Sequence, residues 1–169
     1  MKRIGVLSDT HGLLDDRIFE HFSQVDEIWH TGDWGSMEVV NRLQKFKSVF
    51  FFFKQKTAYE IRGIFPKHNR FMCEEVDVWL THIGGYPGKY DANVRPEIFI
   101  HPPKLFVCGH SHILKVQYDH SLELLHINSG AAGKYGFHQV QTLIRLDIDG
   151  SKIENLEVIE LTPKQKPGV

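Results

Sequence analysis

Apolar runs alternate with amphipathic stretches along the first third of the chain. Residues 2–8 and 27–31 predict two strands, and residues 13–22 predict a helix between them because apolar side chains recur near helical spacing. A second helix is predicted to begin after Ser36, a residue typical of helix N-caps. Two strand–helix units in succession predict a parallel sheet with right-handed crossovers. The second helix is expected to direct four apolar side chains inward: Met37, Val40, Leu43 and Phe46.

The rest of the chain predicts mainly strands. After a third strand at residues 49–53, a Gly- and Pro-rich loop at 84–96 is long enough to form a lid or rim. The last four strands are expected to be antiparallel neighbours, and Asp149-Gly150 is typical of a hairpin turn. The further predicted strands are 71–74, 76–81, 105–108, 113–118, 122–128, 141–147 and 153–160.

Composition favours one domain without a strongly basic surface. A chain of 169 residues with 41% hydrophobic content fits a single domain at 1–162, followed by a polar tail at 163–169. The formal charge of -1 argues against a membrane surface or an extended nucleic-acid surface, because such partners usually require excess Lys and Arg. Two unpatterned cysteines, and an apolar run at 4–7 that is too short for a signal peptide, predict a cytoplasmic protein.

Acidic residues and histidines follow several of the predicted strands. They occur in Ser-Asp-Thr-His-Gly, Thr-Gly-Asp-Trp, Leu-Thr-His-Ile-Gly and Gly-His-Ser-His. Open α/β folds place their ligand crevice at the carboxyl edge of the sheet, so these side chains are expected to meet there. Carboxylates and imidazoles can hold a pair of metal ions, and the pattern therefore predicts a dinuclear site. Its candidate ligands are Asp9, His11, Asp33, His82, His110 and His112.

Each motif taken alone has an ordinary structural explanation. Asp9 and His11 could belong to a surface turn, Asp33 could cap the following helix, and His82 could be a buried, hydrogen-bonded histidine. Four such clusters at strand ends are improbable as a coincidence, so the combination favours metal binding. The ligand types suit manganese, iron, cobalt, nickel or zinc, and the sequence does not choose among them.

The same motifs carry a family resemblance. Asp-x-His, Gly-Asp, Thr-His and Gly-His-x-His, in this order over residues 2–148, resemble the calcineurin-like metallophosphoesterase superfamily, and especially its small single-domain bacterial and archaeal phosphodiesterases. Residues 127–133 are similar to the Asn-Pro-Gly-Ser motif of that subgroup, with Ser129 in place of Pro. The resemblance implies a four-layer α/β/β/α sandwich of two mixed β-sheets flanked by helices.

The resemblance also implies a hydrolase with two divalent metal ions, with manganese preferred. A bridging hydroxide would attack a small phosphoester substrate, most often a phosphodiester, and homo-oligomers occur among small relatives. By position, Asp9, His11 and His112 would hold the first metal, and His82 and His110 the second. Asp33 would bridge the two metals, and Asp33 and His110 would be the catalytic residues.

One segment departs from the family pattern. Relatives carry a Gly-Asn after the third strand, whose Asn binds the second metal, whereas residues 50–59 read Phe-Phe-Phe-Phe-Lys-Gln-Lys-Thr-Ala-Tyr. Lys54 and Lys56 would repel a metal ion unless they turn to solvent, so low activity is expected; Gln55 is an alternative ligand. The segment also resembles a translated sequencing-adapter, in which case it has replaced the natural loop.

Two other functions use the same features. The first is a noncatalytic scaffold like the retromer subunit of this fold, and retention of Asp33 argues for the enzyme instead. The second is a protein with one metal and weak activity or a regulatory role. Six of the remaining histidines are expected to lie away from the metals, namely His21, His30, His68, His101, His120 and His138. His126 could approach the rim of the crevice.

Overall fold

The computed structural model describes residues 1–51 and 68–161 of the chain, where the strands form two five-stranded sheets and one short hairpin. Sheet 1 has the spatial order β12 (Lys152–Leu161), β11 (Gln141–Asp149), β1 (Lys2–Leu7), β2 (Glu27–His30) and β3 (Ser48–Phe51). Sheet 2 has the order β4 (His68–Cys73), β5 (Val76–Thr81), β8 (Leu105–Cys108), β10 (Leu124–Ser129) and β9 (Leu114–Asp119). The hairpin is β6 (Gly85–Tyr86) with β7 (Lys89–Tyr90), and the helices are α1 (Arg17–His21), α2 (Met37–Phe46) and α3 (Arg95–Ile98).

Each sheet contains three neighbouring parallel strands. β1, β2 and β3 run parallel with α1 and α2 between them, which confirms the prediction from the first two strand–helix units. In sheet 2, β5, β8 and β10 are parallel, and the antiparallel strands β4 and β9 form its edges. Each sheet therefore gathers the carboxyl ends of several strands along one edge, where the candidate ligands follow.

The two sheets pack face to face and helices cover their outer faces. α1 and α2 bury Ile18, Val40 and Leu43 in a cluster on sheet 1, and α3 buries Ile98 with Phe106 on sheet 2. This arrangement confirms the four-layer α/β/β/α sandwich of two mixed sheets. The core between the sheets consists of apolar side chains from both, and each stabilises the fold by about 1.5–3 kcal/mol; it includes Ile4, Val6, Trp29, Ile144, Leu80, Val107 and Ile127.

The helices differ from the sequence pattern in two respects, namely the start of α1 and the orientation of one residue of α2. α1 begins at Arg17 instead of residue 13, because the Asp15 carboxylate accepts the Arg17 backbone N–H at 3.0 Å and holds the preceding residues in a turn. α2 begins after Ser36 as predicted, and the Ser36 hydroxyl accepts the Val39 N–H at 3.4 Å. The predicted inward position of Met37 is wrong, since 45% of it is exposed at the first turn of the helix.

The sequence pattern predicted that the last four strands form one antiparallel set, and this prediction is wrong. β9 pairs with β10 in sheet 2, whereas β11 and β12 pair in sheet 1, and β10 lies parallel to β8 on its other side. The chain changes sheets between Ser129 and Gln141 because β11 pairs with β1, which places its apolar residues in the core between the sheets. The Asp149-Gly150 hairpin is confirmed.

Some of the predicted features lie partly or wholly outside the described residues. β3 begins at Ser48 and its described part ends at Phe51, so most of the atypical segment at 50–59 lies outside, as does the tail at 163–169. The predicted loop at 84–96 contains the β6–β7 hairpin and the first turn of α3. No helix in the described part of the chain is long and apolar enough to span a membrane.

Candidate metal centre

Loops from both sheets converge where their parallel strands end. Asp9 follows β1 and Asp33 follows β2, while His82 follows β5 and His110 follows β8. Backbone hydrogen bonds hold neighbouring loops together: the Asp9 N–H donates to the Gly32 carbonyl at 3.0 Å and the His11 N–H to the Asp33 carbonyl at 2.9 Å. In sheet 2, the Gly109 N–H donates to the His82 carbonyl at 2.9 Å. Main-chain geometry thus brings all six predicted ligands to one edge.

The first ligand group consists of Asp9, His11 and His112, whose donor atoms all lie within 4.8 Å of one another. His112 Nε2 is 3.3 Å from Asp9 Oδ1, and His11 Nε2 is 3.8 Å from the same oxygen. The two Nε2 atoms are 3.2 Å apart. This is the trio that the family resemblance implies for the first metal.

The second ligand group consists of Asp33, His82 and His110, which satisfy the same distance limit. His82 Nε2 lies 3.3 Å from Asp33 Oδ2, and the rings of His82 and His110 meet edge to face at 5.1 Å. The groups adjoin, because His82 Nε2 is also 3.9 Å from Asp9 Oδ1. Asp33 therefore lies with the predicted ligands of the second metal; its bridging role stays a prediction.

Two buried atoms at the junction of the groups have no hydrogen-bond partner among the described residues. They are Asp9 Oδ1 and His82 Nε2, on side chains that are almost fully buried. Their remaining polar atoms are satisfied, since Asp9 Oδ2 accepts the His110 N–H at 3.0 Å and His82 Nδ1 bonds the Thr31 carbonyl at 2.9 Å. Unpaired buried polar atoms are costly, and a divalent cation would satisfy both. The donor set therefore fits a metal site.

Backbone strain is concentrated at these residues. Five of the six have positive φ angles between 46° and 70°, a region that residues other than glycine rarely occupy. His82 is the exception. Each such conformation costs on the order of 1–3 kcal/mol and persists where surrounding structure enforces it, most often at functional sites. The strained residues are Asp9, His11, Asp33, His110 and His112.

The carboxylates and imidazoles of the centre perturb one another. Burial acts to raise the pKa of Asp33, but the neighbouring His82 imidazole, 3.3 Å away, and the imidazoles of His11 and His110 hold that pKa below its usual value. Burial acts to lower the pKa of His82, but Asp33 and Asp9 raise it above its usual value. Burial lowers the pKa of His112. Without metal, the nearby carboxylates thus favour the protonated form of His82, with which a metal ion must compete.

Asn128 fixes the loop that carries His110 and His112. Its amide nitrogen donates to the Gly109 carbonyl at 2.9 Å and to the Ser111 hydroxyl at 3.1 Å, and its amide oxygen accepts the Gly130 N–H at 3.0 Å. Asn128 belongs to the segment at residues 127–133, which resembles the Asn-Pro-Gly-Ser motif of the family. Positioning of metal-binding histidines by neighbouring hydrogen bonds is a general feature of metal sites.

Two histidines that the sequence analysis expected away from the metals lie close to the centre, and His126 lines the cleft. His138 packs its ring edge to face on His112 at 5.2 Å and bonds the Gly133 carbonyl at 2.8 Å. His30 is fully buried in β2, where it bonds Thr10 at 3.0 Å, and burial lowers its pKa to about 3. His126 is fully buried at the adjoining cleft. A local sequence signal could not reveal the positions of His30 and His138, which depend on tertiary packing.

A cleft of about 920 Å³ opens beside the second ligand group. Its lining includes His110 and Gly109, residues of the β6–β7 hairpin, and Lys115 of β9. Because His110 belongs to both the ligand group and the cleft lining, a molecule in the cleft would contact the candidate metal centre.

Solved structures of similar fold include both phosphoesterases and Vps29. An archaeal phosphodiesterase is 19% identical over 94% of this chain and 99% of its own, with a TM-score of 0.74. A predicted phosphoesterase from Streptococcus pneumoniae is 18% identical over 99% of this chain and 94% of its own, with a TM-score of 0.63. Vps29 of Entamoeba histolytica, complexed with Zn²⁺, is 14% identical over 95% of this chain and 99% of its own, with a TM-score of 0.69. At these identities the likeness establishes the fold alone.

Sequence comparison gives the family. No sequence among the curated proteins gives a significant match to this chain. The family model described as the calcineurin-like phosphoesterase superfamily domain matches residues 1–151, which include both sheets except β12 and all six candidate ligands. The chain therefore belongs to the calcineurin-like phosphoesterase superfamily.

Proposed function

We propose that this protein is a metal-dependent phosphoesterase that acts on phosphodiesters through a dinuclear centre. The observation that carries the proposal is the pair of adjoining ligand groups, with unpaired atoms of Asp9 and His82 buried at their junction. Membership of the superfamily and the adjoining cleft support it. We further propose a cytoplasmic location, which the two buried, free cysteines support.

The six residues divide between two metals. Asp9, His11 and His112 would hold one ion, and Asp33, His82 and His110 the other, and we propose that Asp33 contributes to both. Nitrogen and oxygen donors of this kind suit manganese, which we propose as the metal. When bound, such a pair lowers the pKa of water toward neutrality and neutralises charge on phosphoryl oxygens.

The protein's own groups orient the substrate and the ligands. The Asp9 carboxylate is held by the His110 N–H, and the His82 ring by the Thr31 carbonyl, so neither needs to reorganise during the reaction. His110 is exposed on its cleft side, and we propose that it contacts the phosphoryl group as one catalytic residue, with Asp33 as the other. The substrate's leaving group would occupy the cleft.

Metal analysis and activity assays on the full chain test this proposal directly. Metal per chain is measured by mass spectrometry, and hydrolysis of bis(p-nitrophenyl) phosphate is followed with added Mn²⁺. Asp33→Asn should lower kcat by about 100-fold or more, since even outer groups of metal sites contribute 10–100-fold. Asp149→Asn, an exposed carboxylate in the β11–β12 hairpin, is the matched control and should leave kcat unchanged. Equal activity of Asp33→Asn and wild type would refute the assignment.

The atypical segment provides a second test. Its residues 52–59 lie outside the described ranges, and the proposal that they weaken the second metal rests on the absent Gly-Asn. Replacing Lys54-Gln55 with Gly-Asn should raise the metal content toward two ions per chain and increase turnover. Two tightly bound ions and brisk turnover in the unaltered chain would contradict a weakening effect of this segment.

A protein-binding scaffold of the same fold is the second candidate. Its support is a set of large apolar side chains that are at least half exposed near the centre and cleft, namely Phe99, Ile113, Tyr135 and Phe137. The fold likeness to Vps29 agrees with either role. Full metal loading without hydrolysis of phosphodiesters or p-nitrophenyl phosphate would favour the scaffold and overturn the enzyme.

A further inference from the structure

The cleft beside His110 is larger than a scissile phosphate requires. Its volume of about 920 Å³ lies in the range of pockets that hold drug-sized ligands. Tyr86 of the hairpin and Phe99 after α3 supply exposed aromatic surface, and the buried residues Asn128 and His126 also line the cleft. The cleft therefore has room for a sizeable leaving group attached to a phosphoryl group at the metal centre.

The charge of the cleft differs from that of the whole chain. Lys89, Arg95 and Lys115 contribute three cations to its lining, against one carboxylate, Asp91. The Asp91 carboxylate already accepts two hydrogen bonds from Asn93, at 2.9 Å from the backbone N–H and 2.8 Å from the side-chain amide. The chain as a whole has a formal charge of -1, so the positive charge here is local.

Lys115 is the most fixed of the three cations. It lies on β9 opposite Asn128 of β10, and its side chain is half-buried, whereas Lys89 and Arg95 are exposed. Lys115 Nζ lies 4.5 Å from the centre of the Tyr86 ring, a cation–π contact between two residues of the cleft lining. Among the described residues, it makes no ion pair with any carboxylate.

His126, here called the floor of the cleft, carries no charge. Burial, with a smaller contribution from Lys115, lowers the pKa of His126 to about 4, so this ring is neutral at pH 7. His126 Nε2 bonds the Gly85 carbonyl at 3.0 Å, which ties the floor to the hairpin that carries Tyr86. An anion that enters the cleft would thus meet a prepositioned ammonium group beside a neutral floor.

We propose that Lys115, held against Tyr86, is a specificity-determining residue that binds a second phosphate group on the substrate's leaving group. The substrate class is then a phosphodiester whose leaving group itself carries a phosphate. This inference rests on the proposed function, because it places the scissile phosphoryl group at His110. Hydrogen bonds to charged groups are worth enough that loss of the ammonium should cost about tenfold or more in affinity for such a substrate.

The test compares dithymidine phosphodiesters with and without a terminal phosphate, on the 5′ or the 3′ side, using the metal-loaded full chain. Wild type should prefer one terminally phosphorylated form. Lys115→Met should reduce that preference by about tenfold, through KM more than kcat, and should affect hydrolysis of the phosphorylated form far more than that of the unphosphorylated form. Lys115→Arg should retain the preference, and Tyr86→Leu should weaken it.

Lys104→Met is the matched control, since Lys104 is an exposed lysine outside the cleft lining and should leave the preference intact. Equal kcat/KM values of wild type for the two kinds of dinucleotide, or an unaltered preference in Lys115→Met, would overturn the inference while the proposed function stands. If no phosphoester is hydrolysed, the proposed function fails, and calorimetry still decides the inference. Tenfold weaker binding of the phosphorylated dinucleotide to Lys115→Met would support it, and equal binding would overturn it.

Discussion

At the scale of single residues, the candidate centre depends on how closely main chain approaches the ligands. Gly32 precedes Asp33 and has a φ angle of +119°, and a Cβ atom there would lie 2.5 Å from His82 Nδ1. That nitrogen bonds the Thr31 carbonyl and so fixes the direction of Nε2. Only glycine leaves room for the ring at this position.

Gly32→Ala is therefore expected to displace His82 and weaken metal binding at the second group. Backbone strain should also lower the free energy of unfolding by about 1–3 kcal/mol. Gly150→Ala is the control, because Gly150 also has a positive φ but no atom lies near its added Cβ. Metal content and urea unfolding of both variants check the prediction. Equal metal content in Gly32→Ala and Gly150→Ala would show that close packing on His82 is unimportant.

The identities of the candidate ligands were readable from the sequence, but their conformations were not. Asp9, Asp33 and His110 could be selected because acidic residues and histidines followed apolar runs in a repeated pattern. Their positive φ angles arise from hydrogen bonds between loops that are distant in sequence, such as that from His110 N–H to Asp9. His138 was missed for the same reason, since its packing on His112 depends on the loop after β10.

At the scale of secondary-structure elements, strand positions were predictable and strand partners were less so. β8 lies at 105–108 as its continuous apolar run predicted. The pairing of β11 with β1 was missed, because alternation within a strand identifies a buried face without identifying the sheet to which it belongs. β2 and β10 also bury a histidine each, His30 and His126, within the strand.

These strand histidines predict acid sensitivity. Burial lowers the pKa of His30 to about 3 and that of His126 to about 4, from 6.5 in the unfolded chain. Between pH 6.5 and pH 4 the unfolded state binds protons that the folded state does not, so stability falls as the pH falls. At pH 5 each histidine should cost about 2 kcal/mol relative to pH 7.

Urea unfolding with EDTA at pH 7 and pH 5 measures this loss without metal. His126→Gln should lose about 2 kcal/mol less than wild type between the two pH values. His120→Gln, at an exposed position after β9, should behave as wild type. The comparison between variants removes the contributions of the other titrating groups, which all three proteins share. An identical pH dependence in His126→Gln would mean that His126 is not held neutral.

At the scale of the whole molecule, each ligand group contains residues from both sheets. Asp9 and His11 come from sheet 1 and His112 from sheet 2, whereas Asp33 comes from sheet 1 and His82 and His110 from sheet 2. The sheets otherwise meet through an apolar core that does not depend on metal. A metal ion in either group would link the two halves of the sandwich at the edge where the strained loops lie.

Metal binding should therefore stabilise the entire fold. At about 100 times its Kd, Mn²⁺ should raise the free energy of unfolding by about 2.7 kcal/mol for each occupied site. Urea unfolding with Mn²⁺ or with EDTA, combined with metal analysis, measures the effect per ion. Asp9→Asn, which alters the carboxylate at the junction of both groups, should abolish most of the shift, whereas Asp149→Asn should retain it. Two bound ions without any shift would place them outside this centre, because ions that link the sheets cannot bind equally well to the unfolded chain.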